Sequence, residues 1–476
     1  LGFVFYDTET TGLSKGFDQI VQFAAIHTDG DLNELDRFEL RCRLQPHVVP
    51  HPKAMLANRL SIERLTDLSL PSHYDMVREI RRRLSGWGRG IFIGYNSIRF
   101  DEEMLRHAFF QNLFPAYLTS TPGCGRADAM HIVLTACADA SACLTLPLAA
   151  DGRKTFRLEA VAAANGLNVD AAHDAMADAQ MTLALCRRVA SEAPEIWSRA
   201  IRTSNKAAVA DLVASEPLFI LTEFYGFEAS HRVVACLGPE AGNPNGRLCW
   251  DLASDPAEAV QLQTDDLAAL ISQREGPLRR LKTNAAPAIA MSWDAPEDWA
   301  LGDVDEAERR AEWLQANPEL SSRIIEAQAA RWANSPLSPH VELQLYDRFP
   351  DDDDLRLMAD FHGAPKIRQR EIVDSFADVR LRTFGRRLLH MEHRSAFIGN
   401  DRRAADADLA ERLLIDKNGP LTMPAARTLA AELVASGVAD AEALLKDYGV
   451  WLDTRIARVE AFVDTLRPRL GARPQV

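Results

Sequence analysis

Three changes of pattern predict three regions: a mixed α/β domain over residues 1–195, a small β-barrel with a helical addition over 196–345, and a helical domain over 346–476. Residues up to 195 alternate short apolar runs with helix-spaced segments. Residues 218–291 hold short apolar runs separated by Gly, Pro and Asn turns, and from about Tyr346 the apolar residues recur at helical spacing. A chain of 476 residues also exceeds what one hydrophobic core usually supports.

Taken in order, the first strand is Phe3, Val4, Phe5 and Tyr6, and it ends in acid at Asp7, Thr8 and Glu9. Gln19–Thr28 and Phe38–Leu44 read as the strands that follow, Tyr74–Leu84 as a helix, and Ile91–Tyr95 as a further strand. Phe100–Phe110 continues as a helix with Asp101 in its first turn, where the helix dipole helps hold a carboxylate ionised. Met176–Val189 is a helix with Asp178 in its first turns. Ser191–Lys206, with Pro194 and a Thr203-Ser204-Asn205-Lys206 run, reads as a hinge.

Beyond the hinge, Leu218–Glu223, Arg232–Leu237, Arg247–Leu252, Val260–Leu262, Leu278–Lys282 and Ala288–Met291 read as short strands, and Asp303–Ala333 as added helices. Asp351–Asp354 is a solvated, dipole-complementing helix start. Arg368–Arg394, Thr422–Gly437 and Asp447–Leu466 are the helices after it, the last with a core-packing stripe of Val450, Trp451, Ile456, Val459, Phe462 and Val463.

The apolar fraction of 47% is ample for packed cores. No uncharged apolar run reaches about 18 residues, which excludes a spanning helix and leads us to expect a cytoplasmic protein with no membrane partner. Seven Cys with no Cys-x-x-Cys pair exclude a zinc knuckle and a disulfide framework; Cys143 and Cys186, in Ala/Leu-rich surroundings, are expected in the core. The net charge of −14 argues against general nucleic-acid affinity, but its excess sits in the middle third, where 13 Lys/Arg face 22 Asp/Glu over 196–345. Within 366–403 the balance reverses to 10 basic against 5 acidic residues, so a nucleic-acid strand would need that local path.

Asp7 and Glu9, at i and i+2 on a strand, point to one face, and two like charges held that close call for a cation between them. A divalent metal is the natural occupant. Two further acid-bearing segments stand at element ends: Gly94-Tyr95-Asn96-Ser97-Ile98-Arg99-Phe100-Asp101 and Ala172-His173-Asp174-Ala175-Met176-Ala177-Asp178.

In order and spacing, Asp7-x-Glu9, Asn96-x-x-x-Phe100-Asp101 and His173-x-Ala175-x-x-Asp178 resemble the DEDDh exonuclease superfamily. Gly94–Glu103, Phe156-Arg157-Leu158-Glu159, Ala164-Asn165-Gly166 and Leu343-Gln344-Leu345-Tyr346 are similar to the bacterial exodeoxyribonuclease I family, so the resemblance spans nearly the whole chain. Thr11 departs from it, standing where that family usually has an aromatic residue. The resemblance implies a ribonuclease-H-like α/β exonuclease domain, an SH3-like barrel and a helical domain. It implies a 3′→5′ exonuclease that degrades single-stranded DNA processively to 5′-mononucleotides in repair and recombination. Two magnesium ions, with manganese able to substitute, would be held by Asp7, Glu9, Asp101 and Asp178. One ion would activate the attacking water, and the other would stabilise the leaving oxygen.

His173 would take the water's proton, since an unperturbed imidazole with a pKa of about 6.5 suits that task. Arg157 matches a substrate-contacting arginine; from the residues alone it could clamp a phosphate or pair with Glu159. Glu9, Asn96 and Phe100 complete the expected substrate contacts, the last two also supporting Asp101, and Lys206 is a candidate for the strand's path. The implied partners are single-stranded DNA and the acidic tail of single-stranded DNA-binding protein, with the chain a monomer. The rival readings are another DEDDh exonuclease, for proofreading or RNA trimming, and an inactive single-strand-binding module.

Overall fold

The computed structural model describes the chain apart from residues 141, 170–172, 226–227, 297–298, 332–336, 416–417 and 467–476. Ala172 of the third motif, Ala333 at the end of the expected helical addition, and any helix beyond residue 466 therefore lie outside the described residues.

The apolar run at the N-terminus becomes β1 (Gly2–Thr10), the middle strand of a five-stranded sheet. It pairs antiparallel with β2 (Ile20–Thr28), which pairs antiparallel with β3 (Glu34–Arg41). On its other side it runs parallel to β4 (Gly90–Gly94), itself parallel to β5 (Gly125–Asp128). A strand with neighbours and helices on both sides is buried throughout and reads as a continuous apolar run. β3 lies at the edge and buries little besides Phe38, so it starts and ends earlier than the expected Phe38–Leu44.

Alternation along β1 sorts its side chains between two cores. Val4 and Tyr6 face α3 (His73–Trp87) and α4 (Asp101–Gln111), while Phe3 and Phe5 face α5 (Ala129–Asp139), α6 (Leu158–Ala164), α7 (Ala175–Glu192) and α8 (Pro194–Arg202). The short helices α1 (Pro52–Ala57) and α2 (Ile62–Leu65) fill the crossing between β3 and α3. The expected hinge is mostly helix: α7 runs to Glu192, and Pro194 opens α8 at a first-turn position where its missing N–H costs nothing. Only Thr203, Ser204 and Asn205 separate α8 from α9 (Lys206–Ser215).

The middle region is a five-stranded antiparallel sheet in the order β10-β6-β7-β8-β9, built from β6 (Phe219–Tyr225), β7 (Glu228–Pro239), β8 (Gly246–Asp251), β9 (Leu278–Lys282) and β10 (Ala288–Ala290). The expected strand Val260–Leu262 is instead the end of α10 (Pro256–Val260) and the turn after it. Asp255 caps that helix by accepting from the Ala257 N–H at 2.9 Å, and Pro256 sits in its first turn, so the local signal is helical. α11 (Thr264–Ser272), α12 (Val304–Ala316) and α13 (Pro318–Ala330) cover one face of the sheet, and α9 covers the other.

Among the described residues six α-helices follow: α14 (Asp352–Gly363), α15 (Lys366–Ser375), α16 (Val379–Glu392), α17 (Gly399–Leu414), α18 (Met423–Ala435) and α19 (Ala441–Leu466). Asp351 caps α14, as the acid run suggested, but Asp354 of that run is buried rather than solvated. The stretch 368–394 is not one helix, because the buried Asp354 carboxylate accepts the N–H groups of Ala377 and Asp378, both at 2.8 Å, and Asp378 then caps α16. Among the described residues these helices share their cores with the first region. Leu345, Met358, Phe361, Ile372 and Phe384 pack into the same cluster as Val4, Tyr6, Phe23, Phe92 and Phe114, and Met423, Leu445 and Tyr448 share another with Val21, Met55 and Leu65.

All seven cysteines are free, with Cys143 and Cys186 buried as expected. Among the described residues no helix is long and apolar enough to cross a membrane.

Candidate active site at the free end of the central strand

β1 outruns its parallel neighbour. Pairing with β4 covers only Gly2–Phe5, whereas pairing with β2 continues to Thr10, so Asp7 and Glu9 project where the β4 side of the sheet has ended. They share the face of Phe3 and Phe5, on which α7 packs, and Asp178 stands in the first turn of α7. Asp7, Glu9 and Asp178 each offer a carboxylate oxygen within 4.8 Å of the others. Asp178 Oδ1 is buried without a hydrogen-bond partner. A buried carboxylate oxygen left bare is costly unless something cationic meets it.

Asp101 approaches from the other face, at the first position of α4, and lies outside that trio. Its Oδ1 accepts from the Thr8 amide at 3.1 Å and the Thr8 hydroxyl at 2.5 Å, so the β1 edge left open beyond β4 fixes it. The turn before α4 is held by a residue that sequence reasoning missed. Asp128, at the end of β5, accepts from the amides of Asn96 at 2.8 Å and Ile98 at 3.2 Å, and Asn96 takes a left-handed backbone with φ of 59°. Gly-Arg-Ala-Asp carries no apolar run to mark β5, so nothing in the pattern pointed to it. Phe100 is half-buried against the core beside α4. The neighbouring Glu102 is buried and accepts from Tyr6, Thr119, Arg106 and Arg126, which pins the start of the helix.

His173 is exposed, with φ of 68°, directly before Asp174, whose side chain caps α7 by accepting from the Met176 amide at 3.2 Å. The His173 N–H bonds the Asp178 carboxylate. Arg157 caps nothing with its side chain at the start of α6; it is 79% exposed and its Nε lies 3.8 Å from Glu159, a loose pair that leaves the guanidinium fork available. Lys206 is exposed at the start of α9. The basic stretch 366–403 is largely neutralised. Arg380 is 3% exposed and bound to Asp378, Arg386 pairs with Asp374, Arg387 with Glu342 and Arg394 with Asp406, so the buried Arg380 in particular cannot line a strand's path.

The carboxylates repel one another. Burial first, then Asp101, Asp178 and Glu9, push the Asp7 carboxyl well above its ordinary range. Burial, Asp178, Asp101 and Asp174 raise Glu9 to about 8 against the pull of Arg41. Burial raises Asp101 to about 7 in spite of the Thr8 hydrogen bonds. It raises Asp178 to about 7 as well, with Glu159 and Asp174 adding and the His173 N–H opposing. Hard oxygen donors, an uncompensated negative charge and a bare buried oxygen together fit a divalent cation of the magnesium or manganese type.

The family model for exonucleases matches residues 4–186, and the model for the exonuclease I SH3-like domain matches residues 204–329. Exodeoxyribonuclease I of Escherichia coli is 27% identical over 376 residues, covering 75% of this chain and 78% of that protein. Two solved structures share the fold over 96% of this chain and 99% of theirs: a moderately thermophilic exonuclease I from Methylocaldum szegediense (TM-score 0.82, 24% identity) and E. coli exonuclease I with a dT13 oligonucleotide (TM-score 0.81, 21% identity). An acid-lined exonuclease sheet followed by the exonuclease I SH3-like domain stands here in one chain, and over most of its length that chain is similar to exodeoxyribonuclease I.

Proposed function

We propose that the chain degrades single-stranded DNA from a free 3′ end, releasing 5′-mononucleotides in successive cuts, with Asp7, Glu9, Asp101, His173 and Asp178 as its working residues. The observation that carries this reading is the convergence of Asp7, Glu9 and Asp178 around a bare buried oxygen at the end of the central strand. Divalent-metal dependence follows from the family; we assign two magnesium ions, replaceable by manganese, to Asp7, Glu9, Asp178 and Asp101. When bound they would supply charge for the attacking water and the leaving 3′ oxygen. The chain's own residues do the rest. His173 accepts the water's proton. Arg157 offers an exposed fork to a phosphate, and Asn96 and Phe100, in the turn before Asp101, border the terminal nucleotide.

A solved structure of E. coli exonuclease I holds a dT13 oligonucleotide, and another exonuclease I structure includes SSB, a single-stranded DNA-binding protein. By that likeness the partner here is the acidic tail of such a protein, and the setting is DNA repair and recombination in the cytoplasm, with the chain acting as a monomer. In the division of labour we propose, residues 1–195 perform the chemistry while 196–345 and 346–476 enclose the strand. The test is digestion of 5′-labelled and 3′-labelled single strands in magnesium, with excess unlabelled strand added as a trap after binding. The 3′ label should appear at once as mononucleotide and the 5′ label as a descending ladder that continues through the trap. Release of the 5′ label first would overturn the polarity, and arrest after one or two nucleotides would overturn processivity.

A further inference from the structure

A row of side chains crosses the sheet beside the acid trio. Glu9 of β1 is paired with Gln22 of β2, and Gln22 with Arg41 of β3, so all three stand on the face that carries α7. Gln22 donates from Nε2 to Asp174 Oδ2 at 3.0 Å and to Glu39 Oε1 at 2.9 Å. Arg41 donates from Nη2 to the same Asp174 oxygen at 2.5 Å and from Nε to Glu39 at 2.9 Å. The other Asp174 oxygen caps α7. One carboxylate thus joins the edge of the sheet to the first turn of the helix that supplies Asp178, and His173 is its immediate neighbour in the chain.

We propose that Arg41 is a positioning residue for His173, acting through its clamp on Asp174; the proposal rests on the reading of His173 as proton acceptor. His173 holds a left-handed backbone with φ of 68°, a conformation that a non-glycine residue keeps only where its surroundings over-determine it. On its C-terminal side those surroundings are the bond from its own N–H to Asp178 and the anchored Asp174. Arginine suits the task better than lysine, because its planar fork reaches Glu39 and Asp174 together and fixes the angle between them. The pair is partly solvated, with side chains 23% and 33% exposed, so its worth lies in orientation rather than in charge attraction.

The experiment measures cleavage of a labelled single strand by Arg41→Ala, Arg41→Lys and Asp174→Asn, each alone and combined with His173→Ala. Asp174→Asn keeps a good helix cap while weakening the clamp, so it tests the same contact without dismantling α7. Arg41→Ala and Asp174→Asn should each lower kcat roughly 10- to 50-fold, with KM and the magnesium half-saturation point within about twofold of the parent, and Arg41→Lys should recover part of the loss. In the His173→Ala background the same changes should cost less than about twofold, because the residue through which they act is gone. Equal losses in both backgrounds would overturn the proposal, as would an unchanged kcat or a loss repaired by excess magnesium, which would place the action of Arg41 at Glu9. A parent inert toward single strands in magnesium would sink the functional reading itself, and this proposal with it; an active parent with additive losses would sink only the role of Arg41.

Discussion

Replacing Glu9 with Gln should stabilise the metal-free protein at pH 8 and leave it nearly unchanged at pH 4.5. Folding raises the Glu9 carboxyl from 4.5 to about 8, through burial and the charges of Asp178, Asp101 and Asp174. Between those values the folded protein keeps a proton that the unfolded chain releases, so this group's contribution to stability falls as pH rises and levels off once pH passes about 8. A gap of roughly 3.5 units corresponds to about 5 kcal/mol. The repulsion is shared among the carboxylates, so one substitution recovers on the order of 2–3 kcal/mol, which for roughly 300 residues sharing the nuclease cores raises Tm by roughly 3–5 °C. The assay is thermal unfolding in EDTA at pH 4.5 and pH 8, repeated with excess magnesium. In magnesium the order at pH 8 should reverse, because the parent regains by binding what the variant has lost. Superimposable melts of parent and variant in EDTA at pH 8, or an equal gain at both pH values, would refute the reasoning.

Asp7→Asn should fold normally and lose at least roughly 10³-fold in cleavage, read on labelled strands; activity within about tenfold of the parent, some 1.4 kcal/mol of barrier, would remove Asp7 from the metal site. His173→Ala should slow cleavage roughly 10²–10⁴-fold while strand binding, followed by fluorescence anisotropy, stays intact. Arg380→Ala should cost about 3 kcal/mol in thermal or urea unfolding, because it leaves the buried Asp378 short of its main partner. Arg386→Ala, which breaks an exposed pair with Asp374, should cost less than about 1 kcal/mol.

What could be read from sequence divides along physical lines. β1 and β2 are buried on both faces, so their apolar runs announced them, and the i, i+2 spacing of Asp7 and Glu9 placed both on the face that Asp178 meets. β5 escaped because a four-residue strand of Gly125, Arg126, Ala127 and Asp128 is specified by its neighbours rather than by its own side chains. Val260–Leu262 misled because a short apolar run fits a helix end as well as a strand, and the cap at Asp255 decided between them. The basic cluster misled in another way: charge composition records Arg380 and Arg387 but not the acids folded against them. Asp128 and Arg41 act across folded distance, on Asn96 and Asp174, and no spacing in the chain reveals such a partner.

The shared core also governs when this enzyme can come into being. The sheet face formed by Val4, Tyr6, Phe23 and Phe92 leaves the ribosome early, but Leu345, Met358, Phe361 and Phe384, which cover it, are made much later. About 230 residues separate Phe114 from Leu345, which at roughly 5–20 residues per second is on the order of 10–50 s of translation with that face bare. Tyr448, whose hydroxyl bonds the Pro50 carbonyl at 2.6 Å, closes the second shared cluster later still. A nascent chain therefore carries exposed, aggregation-prone apolar surface for much of its synthesis. A chain cut short before Leu345 would lack the side chains that cover this face and would be prone to aggregate rather than to fold as a free-standing nuclease.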